Sequence, residues 1–130
     1  MATFVVDGGL DVTTNRVKGA GTEPLHVGWG TGAGTTTRAD TSLFTEALVS
    51  LAAGSTDHTA GTSTQQTTNT TNDTYQVVAT RTATGAGTVT NAGLFDAASG
   101  GNLYLKGDFT GIGLSNGDAI QFTIKAIYDN

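Results

Sequence analysis

The chain has 130 residues, with no Cys, one Pro, one Met and one Trp, and 6 basic against 11 acidic side chains give a net charge of −5. That length fits one domain whose core needs no covalent staple, and the lack of Cys excludes a disulfide framework, a thiolate metal site and a Cys nucleophile. The acidic balance argues against nucleic acid as a partner, because phosphate binding draws on clustered Lys and Arg. No stretch approaches the ~20 apolar residues of a membrane helix.

Thr and Gly, at 26 and 19 residues, make up about a third of the chain. Thr is β-branched and fits a pleated, half-buried surface, whereas Gly supplies turns and bulges. Helix formers such as Glu, Lys and Arg are scarce. The mixture predicts one all-β domain over 1–130, a β-sandwich or jelly-roll-like fold with at most one short helix. Hydrophobic residues at 37% and a low net charge argue against disorder.

Thr3-Phe4-Val5-Val6 is a short apolar run stopped by Asp7-Gly8-Gly9. It is read as an edge strand or as part of an N-terminal arm over 1–9 that pairs with a neighbour. Met1 to Asp11 has no basic n-region and no long apolar h-region, so no signal peptide is expected there. Asn15 to Gly21 is a loop by composition. Glu23 to Trp29 is predicted as a strand, with Leu25, Val27 and Trp29 on one face and Pro24 at its start, where a strand tolerates it. Trp29 is expected in the core. Gly30 to Thr37 holds only Gly, Ala and Thr and reads as a flexible loop. Asp40 to Val49 carries capping residues, Asp40 and Ser42, and i,i+4 apolar pairs (Leu43 with Ala47, Phe44 with Leu48), so one or two helical turns are expected.

Residues 52–74 form a polar tract, read as a long loop or a two-stranded arm. The remainder alternates more clearly. Tyr75–Thr82 and Thr88–Asp96 are predicted strands, the second with a bulge at Gly93. Ser99 to Asn102 is a hairpin turn leading to a strand from Leu103 to Phe109. Asn116-Gly117 is a strong turn signal. The last strand, Ala119–Tyr128, puts Ile120, Phe122, Ile124 and Ala126 on the core face.

Motifs that carry chemistry are weak. Gly28 to Gly34 is rich in Gly but matches neither phosphate-binding pattern. His26 and His58 lack metal-ligand spacing. Gly113-Leu114-Ser115-Asn116-Gly117 fits a nucleophile elbow by letters, but a turn and a strand follow it, with no His beyond. The two Asn-x-Thr sites at Asn69 and Asn72 read as products of a Thr-rich tract. No catalytic residue, cofactor or metal site is expected, and the chain is read as non-enzymatic.

Two stretches carry a resemblance. The first is His26-Val27-Gly28-Trp29-Gly30-Thr31-Gly32 followed by Asp40-Thr41-Ser42-Leu43 and Glu46. The second is Asn91-Ala92-Gly93-Leu94-Phe95-Asp96 with Gly100-Gly101-Asn102-Leu103. Both resemble small structural proteins of tailed bacteriophages. That family often has an acidic residue before Ala-Gly-Leu, where Asn91 stands here. The resemblance implies a virion component. The leading expectation is a capsid decoration (cement) protein, a homo-trimer on the capsid surface that bridges subunits of the major capsid protein. The alternative is a tail-fibre or baseplate module binding host-surface carbohydrate. The partner contacts expected are Thr3, Phe4, Val5 and Val6 of the arm, and Thr67, Thr68 and Asn69 of the polar tract. Nucleic acid and membrane are not expected partners.

Overall fold

Alternating apolar residues pair into two antiparallel sheets that face one another across a common core. The computed structural model describes residues 2–55 and 57–128; Met1 of the expected arm and Thr56 of the polar tract lie outside the described residues. In chain order the elements are β1 (Thr3–Val5), α1 (Asp7–Val17), β2 (His26–Gly30), β3 (Glu46–Ala47) and β4 (Thr59–Ala60). β5 (Thr62–Gln66), β6 (Thr74–Thr82), β7 (Gly87–Phe95), β8 (Leu103–Leu114) and β9 (Ala119–Ile127) follow. The larger sheet runs β1-β8-β7-β2-β3, with β4 also on β2, and the smaller runs β5-β6-β9. The short strands β3 and β4 pair in tandem along β2, at Trp29–Gly30 and His26–Val27. The fold is the expected all-β sandwich, with a single short helix among the described residues.

The core follows the period-2 pattern of the strands. Val27, Trp29 and Leu94 of the larger sheet meet Val77, Ala79 and Phe122 of the smaller one in a single buried cluster. Trp29 is fully buried, lies edge-on to Phe122 at 6.5 Å, and donates its indole N–H to the Leu48 carbonyl at 3.0 Å. Burying a side chain of this size contributes about 1.5–3 kcal/mol. A satellite cluster of Val6, Leu43, Phe95 and Leu103 lies outside it.

Two expectations are corrected. The helix is not at Asp40–Val49 but at Asp7–Val17, where the sequence suggested a Gly-Gly turn and a loop. Its N-terminus has no side-chain cap, and Gly and Thr are poor helix formers. Tertiary contact compensates: Val12 enters the main core, and Gly9 lies so close to β8 that a Cβ there would be 2.1 Å from the Tyr104 carbonyl oxygen. The helix ends in a Schellman arrangement. Gly19, at φ 89°, donates to Arg16 O and Ala20 donates to Asn15 O. The expected bulge at Gly93 is also absent. Gly93 pairs in register with both Gly28 and Lys106, and the irregularities of β7 against β8 fall at Val89/Asn91 and Leu94/Phe95.

The polar tract is ordered into β4, β5 and the turn before β6, so it contributes strands to both sheets. The run predicted from Glu23 pairs only from His26, leaving Pro24 just outside the strand.

Gly9→Ala tests the helix–sheet contact. The change would gain up to ~1 kcal/mol of helix propensity, but crowding against Tyr104 is expected to outweigh it and leave a net loss of about 1–3 kcal/mol. Urea denaturation followed by tryptophan fluorescence measures this; an unchanged or raised midpoint would contradict the packing.

Candidate functional site

The expected contact residues are on different sheets. Thr3, Phe4 and Val5 form the edge strand β1, paired with Gly107, Lys106 and Leu105 of β8, so the edge-strand reading describes them within their own chain. Phe4 carries the Arg38 guanidinium over its ring at 5.8 Å. Val6 is fully buried and offers no surface. Among the described residues no strand lies on the other edge of β1.

Thr67, Thr68 and Asn69 lie in the turn between β5 and β6. The Asp73 carboxylate accepts the backbone N–H groups of Thr68, Asn69 and Thr70 at 2.8–2.9 Å, and the Thr74 hydroxyl donates to it as well. These bonds hold its pKa far below the usual carboxylate range, through the backbone donor of Thr70 foremost. The turn is therefore ordered around an internal acceptor.

Two ion pairs and a His–carboxylate contact tie the irregular stretch between β2 and β4 together and to the sheets. Lys106 is fully buried on β8; its ammonium donates to Asp40 at 2.8 Å and to the Ser42 carbonyl at 2.9 Å, and lies 3.2 Å from the centre of the Phe44 ring. Arg81 on β6 is 1% exposed, pairs with Asp57 at 2.5 Å, and sits over Trp29 at 4.8 Å. His58 pairs with Glu46 at 2.5 Å, faces the Ala97 carbonyl through Nδ1 at 2.9 Å, and stacks on Phe95 at 4.0 Å. Asn91 adds a neutral tie. Its Oδ1 accepts the Phe44 N–H at 3.0 Å and its Nδ2 donates to the Phe44 carbonyl at 3.1 Å. A carboxylate there could accept but not donate. These contacts explain the absence of the expected helix: Asp40, read as a cap, is drawn to Lys106, and Phe44 hydrogen-bonds across to β7.

The two stretches that carry the family resemblance meet here. His26 to Gly30 pairs residue by residue with Phe95 back to Asn91. Asp40 and Glu46 supply two of the three carboxylates. The shared residues thus build the framework.

Sequence reasoning missed a cleft beside α1. A cavity of about 450 Å³ is lined by residues of α1, by Glu23 and Pro24, and by Tyr75, Tyr104 and Tyr128. The Tyr75 hydroxyl donates to Glu23 Oε1 and to the Pro24 carbonyl, while the Tyr104 and Tyr128 hydroxyls bond each other. Burial first, then these neighbours, push the Tyr75 and Tyr104 phenols well above their ordinary range. The available signal was the basic last turn followed by Gly19, which marks a helix end; the three Tyr are too far apart in sequence to be grouped by spacing.

The family described as Podophage GP4 fiber I protein gp80 matches residues 10–128. No curated protein and no solved structure matches the chain.

Two stability predictions follow from the pairs. Asp40→Ala strands a buried ammonium and is expected to cost about 3 kcal/mol, whereas the double variant Asp40→Ala with Lys106→Met, which leaves neither charge behind, is expected to be near neutral or stabilising. Chemical denaturation of both variants checks this; equal losses would contradict it. For pH, backbone or side-chain donors hold the Asp40, Asp73 and Asp108 carboxylates below their ordinary values. Their contribution is fully present above the unfolded pKa of about 3.9 and lost as pH falls through the folded values. For the two raised phenols it is present below about pH 10 and lost above. The melting temperature is expected to be flat in between and to fall on both sides, with a shallower acid limb in Asp73→Asn.

Proposed function

The chain belongs to the podophage GP4 fiber I protein gp80 family, small structural proteins of tailed phages, and from that premise we propose that it is a fibre module of the virion. The family match over nearly the whole chain carries this reading. The framework supports it. His58 and Glu46 are spent on each other, and His58 on the Ala97 carbonyl as well, which suits a rigid, non-catalytic part. Assembly partners would be other virion subunits, held by many modest contacts along exposed edges such as that of β1. Repetition along a fibre makes each weak contact count through avidity.

Labelling intact virions with an antibody against this chain, followed by electron microscopy, tests the proposal. Gold confined to fibres is the expected result. Gold spread evenly over the head would overturn it in favour of a decoration protein whose partner is the major capsid protein.

A further inference from the structure

Among the described residues two strand edges stand bare along one groove. β1 ends the larger sheet and β9 ends the smaller one. The Val6 N–H donates to the Tyr104 carbonyl and the Asp108 N–H to the Ala2 carbonyl. Antiparallel partners exchange such bonds at every second residue. Ala2, Phe4 and Val6 therefore spend their peptide groups on β8, while Thr3 and Val5 turn theirs outward. The same count applies to β9. The Tyr128 N–H donates to the Asp73 carbonyl and the Ala83 N–H to the Asp118 carbonyl, which leaves Lys125 and Ile127 with outward peptide groups. Thr3, Val5, Lys125 and Ile127 all line a single groove of about 330 Å³. An edge of unpaired N–H and C=O groups is a template for another strand.

The rest of the groove selects the strand that fits. Leu10 and Ile127 give its wall exposed apolar surface, at 59% and 47%. Arg38 and Lys125 line it too, with no Asp or Glu beside them in the lining. Among the described residues neither cation belongs to an ion pair. Arg38 lies over the ring of Phe4, on β1 itself. A chain of net charge −5 thus places two uncompensated cations on this one seam. Lysine on an edge commonly deters pairing, but an acidic strand is the one kind it cannot deter.

We propose that the seam between β1 and β9 receives an extended acidic segment of another virion protein, which adds as a strand to the edge of β1. This rests on the reading of the chain as a virion module that contacts other subunits. Backbone bonds to Thr3 and Val5 set the register, and side chains select the partner. Carboxylates of the segment meet Arg38 and Lys125, and its apolar side chains cover Leu10 and Ile127.

A synthetic hexapeptide of alternating Glu and Val is the probe, added to the intact isotope-labelled chain and followed by amide NMR. Saturable binding below about 1 mM is expected, with shifts centred on Thr3, Val5 and Lys125 and slowed exchange of the Thr3 and Val5 amides. The same peptide with Lys in place of Glu should not bind. Arg38→Gln and Lys125→Gln should each weaken binding about threefold, and added salt should weaken it further. Thr3→Pro is the sharpest variant. It removes an outward N–H and none of the bonds to β8, at an edge position where Pro is tolerated. Binding should fall about tenfold with the melting temperature unchanged. No binding at about 1 mM, equal binding of the Lys peptide, shifts confined to other strands, or wild-type affinity in Thr3→Pro would overturn the proposal. Protection of Thr3 and Val5 that grows with the chain's own concentration would also overturn it, by giving the edge to a second copy. The assay needs no virion, so its failure and a failed immunogold result on fibres are separate outcomes.

Discussion

Two buried or half-buried ion pairs and a buried His–carboxylate contact hold together a part of this protein that has almost no regular structure. Among the described residues between the end of β2 and the start of β4 the backbone forms one two-residue strand. Yet the segment covers the flank of the sandwich and carries Leu43 and Ala47 into buried positions. Asp40, Glu46 and Asp57 anchor it, reaching Lys106, His58 and Arg81. Taking such groups out of water is costly, and partners, carbonyls and aromatic faces offset the cost only where the geometry is right. The gain is definition: a segment rich in Gly and Thr acquires one conformation.

The same economy explains other features. Asn91 extends β7 sideways by presenting a donor and an acceptor to both backbone groups of one residue, Phe44, as a strand would. Gly30 lets this happen, because a Cβ there would lie 2.3 Å from the Phe44 carbonyl oxygen. A similarly close approach at Gly9 docks the helix. Close backbone contact and internal polar ties replace much of the bulk that a richer apolar core would supply. A rigid module of this kind suits a virion part whose role is to hold its shape.

The sandwich was legible because its signal is local. Alternation placed Val27 and Trp29 inward, and did the same for Phe122 and Ala126 of β9; Asn116-Gly117 marked the turn before that strand. The helix was not legible, since Gly8, Gly9, Thr13 and Thr14 argue against it and the contacts that favour it come from β8, nearly a hundred residues away. The misplaced helix at Asp40–Val49 has the converse cause. Its local pattern was helical, but Lys106 and Asn91, both distant in sequence, compete for its polar groups and win. The framework residues shared with the family were visible as motifs, while their roles as anchors were not, because pairs between loop residues and distant strands leave no spacing to read.

Hydrogen–deuterium exchange resolved to single residues tests the anchoring most directly. If the pairs fix the segment, the amides of Thr36, Phe44, Val49 and His58, which bond to side-chain or backbone acceptors, should be protected nearly as well as those of β7 and β8. Exchange of these four amides within seconds, while β7 and β8 stay protected, would contradict the account.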